Sequence, residues 1–87
     1  MKYLVIVFSS RNETMQLYNI LKNLNVYCSI INTPRLLSRS CGISVKVLNN
    51  NLELIKQLIS SNRFSSFKGI FELDYKPNIT TSPIKLY

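Results

Sequence analysis

The chain opens on Lys2 to Phe8, a stretch that is almost continuously apolar and rich in β-branched residues. That pattern predicts a strand buried on both faces at the middle of a sheet, because a strand with one wet face would alternate. Ser10-Arg11-Asn12-Glu13 follows as a Ser-x-x-Glu capping box, in which each side chain can satisfy a free amide at a helix start. Leu17, Ile20, Leu21 and Leu24 then recur at helical spacing, and Asn23 to Asn25 supply a stop. Val26 to Asn32 returns to alternation, with Val26, Cys28 and Ile30 on one face and Tyr27, Ser29 and Ile31 on the other.

After a loop, Ile43, Val45 and Val47 alternate with Ser44, Lys46 and Leu48, which predicts a third strand with one inward face. Asn49-Asn50-Asn51 ends it, and an asparagine there can cap a second helix lined by Leu52, Ile55, Leu58 and Ile59, with Glu53 in its first turn. Phe67, Gly69, Phe71, Leu73 and Tyr75 are expected on one face of a fourth strand, with Lys68, Ile70, Glu72 and Asp74 on the other. Residues 1–75 thus form one domain. Residues 76–87 contain two prolines and no clear period, so this tail either adds an edge strand or stays mobile.

The order βαββαβ predicts an α+β fold of ferredoxin-like plan, a four-stranded antiparallel sheet of order 4-1-3-2 with both helices on one face. That order sets the first and third strands side by side and running opposite ways. The end of the first strand, the start of the first helix and the start of the third strand then fall at the same edge of the sheet.

Composition narrows the chemistry. A chain of 87 residues, 46% hydrophobic and 17% charged, has room for one core. No apolar run approaches the ~20 residues of a membrane-spanning helix. The apolar start lacks a small-residue cleavage site and reads as a strand rather than a signal peptide. There is no histidine, which removes the usual general base and the commonest transition-metal ligand. Cys28 and Cys41 fit neither a zinc pair nor a Cys-x-x-Cys redox motif, and the cytoplasmic location expected for the chain keeps both reduced. Neither a metal nor a cofactor is implied.

Cys28 shares a strand face with Val26 and Ile30 and reads as core. Cys41 ends the loop Thr33-Pro34-Arg35-Leu36-Leu37-Ser38-Arg39-Ser40-Cys41-Gly42. Thr33 and Pro34 suit the cap and first residue of a short helical turn, with Gly42 closing it. Topology places Cys41 near Ser9, Ser10 and Arg11. The amides of the first helix and the charges of Arg11, Arg35 and Arg39 favour a thiolate there. A carbonyl end of the 34–40 turn would oppose them; the arginines and the longer helix are expected to win.

This loop, followed by an alternating strand, resembles the selenium/sulfur carrier-like family, whose members show a similar T-P-R-x-L-S-x-S-C-G stretch. The resemblance covers roughly residues 1 to 75 and implies a small thiol protein whose motif cysteine, matched by Cys41, carries sulfur or selenium. Ser9, Ser10, Arg11, Thr33, Arg35, Arg39, Ser40 and Gly42 would support its thiolate. Donor and acceptor proteins are the partners so implied, and the protein would be a stoichiometric carrier more than an enzyme. A cysteine in that role must be exposed, and it gains from arginines and free amides nearby.

Two other readings stand beside it. A net charge of +7 draws a protein toward phosphate-rich partners, although the cations are scattered along the sequence. Phe67 and Phe71 are expected in the core; were they to line the face opposite the helices, RNA binding would become the main rival. The apolarity of the first strand implies that this face is partly covered, and a homodimer is the expected cover. A small regulatory or interaction domain using the sheet face is the third reading.

Overall fold

The computed structural model describes residues 2–34, 42–74 and 84–87. The elements in chain order are β1 (Lys2–Phe8), α1 (Arg11–Asn23), β2 (Cys28–Asn32), β3 (Ile43–Leu48), α2 (Leu52–Asn62), β4 (Phe67–Asp74) and β5 (Ile84–Lys85), with a 3-10 turn at Asn49–Asn51 leading into α2. They build an antiparallel sheet of order β2-β3-β1-β4-β5. The first four strands run 4-1-3-2. The sheet has five strands, not the expected four, because Ile84 and Lys85 pair with Glu72 and Phe71 along the outer edge of β4. An edge strand offers a row of unused amides and carbonyls, and the chain's own C-terminal segment takes up part of it.

β1 is central and buried on both sides: Leu4 to Phe8 are all fully shielded from solvent. Leu4, Ile6 and Phe8 face the helices and join Val45, Val47, Cys28 and Ile70 of the neighbouring strands. Leu17 and Leu21 of α1, with Ile55 and Ile59 of α2, close over the same face. Each large side chain so buried contributes on the order of 1.5–3 kcal/mol. Val5 and Val7 point to the opposite face.

Two helix ends explain where the neighbouring segments begin. α1 stops in a Schellman motif: Asn25 takes a left-handed backbone (φ 60°), Val26 N–H donates to the Leu21 carbonyl and Asn25 N–H to that of Lys22. Asparagine is one of the few residues that accepts this conformation readily. Val26 is thereby used in ending the helix, its side chain against the core, and β2 starts at Cys28 rather than at Val26. α2 lacks the expected asparagine cap. Asn51 has no side-chain capping bond; its amide turns back to the Leu48 carbonyl at 3.4 Å, because the 3-10 turn already carries the chain from β3 into the helix.

The expected alternation along β4 is broken by a bulge. Phe8 pairs with Phe67 but Val7 with Gly69, so Lys68 is an extra residue and the side chains before it change face. Phe67 therefore joins the helix side, its ring 5.8 Å from that of Phe8. Phe71 lies across from Val5, on the opposite side. The two phenylalanines expected together in the core are separated by the sheet.

Candidate functional site

The β2–β3 connection leaves and rejoins the sheet through a closed neck. Asn32 and Ile43 form the last paired residues of the ladder, and Thr33 N–H extends it by donating to the Gly42 carbonyl at 3.0 Å. Beneath it the hydroxyls of Thr33 and Ser44 meet at 2.5 Å. Ser44 is fully buried, so its hydroxyl needs that partner; a buried hydroxyl without one is costly. The register Ile6↔Val45 puts the end of β1 level with the start of β3. The neck thus stands at the end of the sheet where α1 begins.

Ser10 is the N-cap of α1, its hydroxyl accepting from Glu13 N–H at 3.3 Å. The reciprocal half of the capping box is relayed. Ser10 N–H donates to the Ser66 hydroxyl at 3.2 Å, and that hydroxyl donates to Glu13 Oε1 at 2.6 Å. Glu13 also accepts from Ser66 N–H at 2.8 Å and from the N–H and hydroxyl of Ser65 at 3.2 and 3.0 Å. These bonds, the Ser66 hydroxyl foremost, hold the Glu13 carboxyl below the ordinary glutamate range, against a smaller opposing effect of burial. Ser9 is exposed, and its N–H donates to the Ser66 carbonyl at 2.9 Å. One carboxylate thus fastens the turn before β4 to the start of α1.

Of the residues proposed from sequence, the fold brings Ser9, Ser10 and Arg11 to this end of the sheet, with Thr33 and Gly42 forming the neck. Ser10 caps, whereas Ser9 braces the turn at Ser66 and Thr33 pairs with Ser44. Arg11 is exposed at the first position of α1. Arg35, Arg39, Ser40 and Cys41 lie outside the described residues. Sequence reasoning missed Ser44, Ser65, Ser66 and Arg63. Arg63 is exposed and ends α2 in a left-handed conformation (φ 50°), two residues before Ser65. Ser65 and Ser66 gave no local signal, since Glu13 meets them across 52 and 53 residues of sequence.

Cys28 is 4% exposed and packed in the core. Burial pushes its thiol above the ordinary value, with Lys22 opposing weakly. Its sulfur is withdrawn from solution chemistry. Among the described residues no group of three or more His, Cys, Asp and Glu stands together to hold a metal, and no helix is long and apolar enough to cross a membrane.

A family model described as "Putative Se/S carrier protein-like" matches residues 3–72. The chain belongs to this family. The matched span takes in β1 through most of β4, together with the neck and the whole connection it closes, and stops short of β5. No curated protein and no solved structure matches significantly. The Se/S carrier-like assignment therefore rests on the family as a whole.

Proposed function

We propose that this chain is a carrier protein that holds sulfur or selenium on the Cys41 thiol and passes it from a donor protein to an acceptor. Family membership carries the reading, because the match over residues 3–72 contains the entire stretch from Thr33 to Gly42. The frame is a ferredoxin-like βαββαβ unit with β5 added beside β4. Three features support it. The burial of Cys28 leaves Cys41 as the thiol for exchange. The Thr33–Gly42 bond fixes where the connection returns to the sheet, one peptide bond from Cys41. At that end α1 presents its positive dipole end and Arg11 and Arg63 are exposed, which favours an anionic sulfur. Glu13, the acid at this end, is already occupied by four donors.

The transfer needs no redox partner. The Cys41 thiolate attacks the terminal sulfur of a donor persulfide; a new Sγ–S bond forms, the donor's S–S bond breaks, and its electron pair leaves on the donor thiolate. A donor with selenium at the terminal position reacts in the same way, giving an S–Se bond. The carrier holds one atom per chain and turns nothing over by itself.

Intact-mass measurement of the full chain after incubation with cysteine persulfide, and separately with glutathione selenopersulfide, tests this. A gain of one sulfur or one selenium atom is expected on the native chain and on Cys28→Ser, and none on Cys41→Ser. An unmodified native chain, or an adduct that persists in Cys41→Ser, overturns the proposal.

A further inference from the structure

The sheet face opposite the helices takes no part in the proposed sulfur transfer, and its composition is one-sided. Register alone lays it out. Across the middle of the sheet Lys46, Val5, Phe71 and Lys85 stand side by side on β3, β1, β4 and β5. Tyr3 occupies the next row, diagonal to Phe71, a separation of ~7 Å in an antiparallel pair. Lys46 Nζ sits 4.5 Å from the centre of the Tyr3 ring, a cation–π contact. The ring of Phe71 leans along its own strand, two of its carbons 3.1 and 3.3 Å from where a Cβ on Gly69 would stand, with Lys85 Cε 3.1 Å from the same point. Gly69 makes room for both. Val5 and Val7 are fully buried on this face, while the rings themselves are half-buried and Lys85 is exposed.

The chain has four acidic residues, and none is on this face. Glu13 and Glu53 belong to the helices. Glu72 pairs with Leu4 and Asp74 with Lys2, both on the helix side of the pleat. Two aromatic rings flanked by two lysines, with no carboxylate among them, match a ligand that is flat, apolar and anionic in alternation. A second copy of the chain matches poorly, since it would set lysines against lysines.

We infer that this face is a binding platform for single-stranded nucleic acid, with bases stacking on Tyr3 and Phe71 and phosphates meeting Lys46 and Lys85. Stacking on aromatic side chains tolerates any base, and the phosphate contacts make binding salt-dependent. The inference is independent of the carrier reading and uses none of the residues proposed for it.

The test is fluorescence anisotropy of labelled single-stranded oligouridylate and oligothymidylate with the full chain over a range of salt concentrations. Both strands are expected to bind, with preference for one identifying the natural sugar. Tyr3→Leu and Phe71→Leu, checked for folding by circular dichroism, should each weaken binding roughly fivefold or more. Lys46→Gln and Lys85→Gln should each lower the salt slope by about 0.7, and Lys22→Gln, on the helix layer, should leave both readouts unchanged. Absence of binding overturns the proposal. So does binding that ignores both rings, or that falls as much with Lys22→Gln as with Lys46→Gln, since either marks diffuse charge attraction. A monomer–dimer equilibrium by sedimentation that Phe71→Leu abolishes would assign the face to self-association instead.

Discussion

Replacing Glu13 tests whether a single carboxylate joins the first helix to the turn before β4. Glu13→Ala removes the acceptor for four donors. The two bonds from Ser65 are exposed, and water replaces exposed contacts at little net cost. The two from Ser66, at 2.8 and 2.6 Å, are part-buried. Charge-assisted bonds of that kind are worth about 1.5–3 kcal/mol each, before the solvent competition that a half-buried carboxylate still meets. Taking half of that range for the Ser66 pair, and a few tenths for a charge at a helix start, the expected loss is about 2 kcal/mol. For a domain of this size that lowers Tm by roughly 8–16 °C. Glu13→Gln should lose about half as much, because one oxygen still serves Ser66 while the amide faces Ser65 N–H donor to donor.

The pH dependence follows from the same bonds. The folded state holds the Glu13 carboxyl below its ordinary value of 4.5, so in acid the unfolded chain takes up that proton first. The stabilisation is complete above the unfolded value and is lost as pH falls through the folded one. Urea unfolding followed by far-ultraviolet circular dichroism should therefore show a constant difference between the native chain and Glu13→Gln at neutral pH, shrinking below about pH 4.5. A loss under about 0.5 kcal/mol for Glu13→Ala, or a native acid slope that Glu13→Gln fails to change, would show that the backbone bond from Ser9 to Ser66 holds the turn unaided.

Three further outcomes are specific. In the native state Ellman's reagent should not modify Cys28, whose burial both hides the sulfur and disfavours the thiolate, and modification should appear on unfolding; rapid native labelling of Cys41→Ser would contradict the assigned burial. The same raised pKa makes its contribution to stability complete below the ordinary thiol value of 9.0 and lost as pH rises past it. Gly69→Ala should cost about 1–3 kcal/mol by urea titration, because Gly69 holds φ at 157°, a conformation that L side chains rarely adopt, and the new methyl group would meet the Phe71 ring and the Lys85 chain at 3.1 Å. An unchanged unfolding midpoint would show that the backbone relaxes out of that conformation and that both neighbours give way.

Much of this architecture is written in local pattern. Continuous apolarity marked β1 as a central strand because both of its faces are buried, Leu4, Ile6 and Phe8 against the helices and Val5 and Val7 on the other side. Asn23 and Asn25 at the end of α1 announced a stop because Asn25 can enter the left-handed region. What local pattern misses is whatever depends on a partner far along the chain. The bulge at Lys68 is one such case: alternation assigns Phe67 and Phe71 to one face, and only pairing with β1 shows that Phe8 pulls Phe67 to the helix side. The relayed capping box is another, since Ser-x-x-Glu predicts Glu13 bonding back to Ser10, while in the fold Ser66 stands between them and turns a local cap into a tertiary tie. Both departures occur at the start of β4, and both act on the same end of the sheet. The bulge lets Phe67 seal the core beneath the turn, and the Glu13 bonds hold that turn against α1, beside the strand end from which the Cys41 connection returns. The motif loop could be recognised from its own residues. The brace proposed to keep its surroundings in place could not, because half of it lies more than fifty residues away.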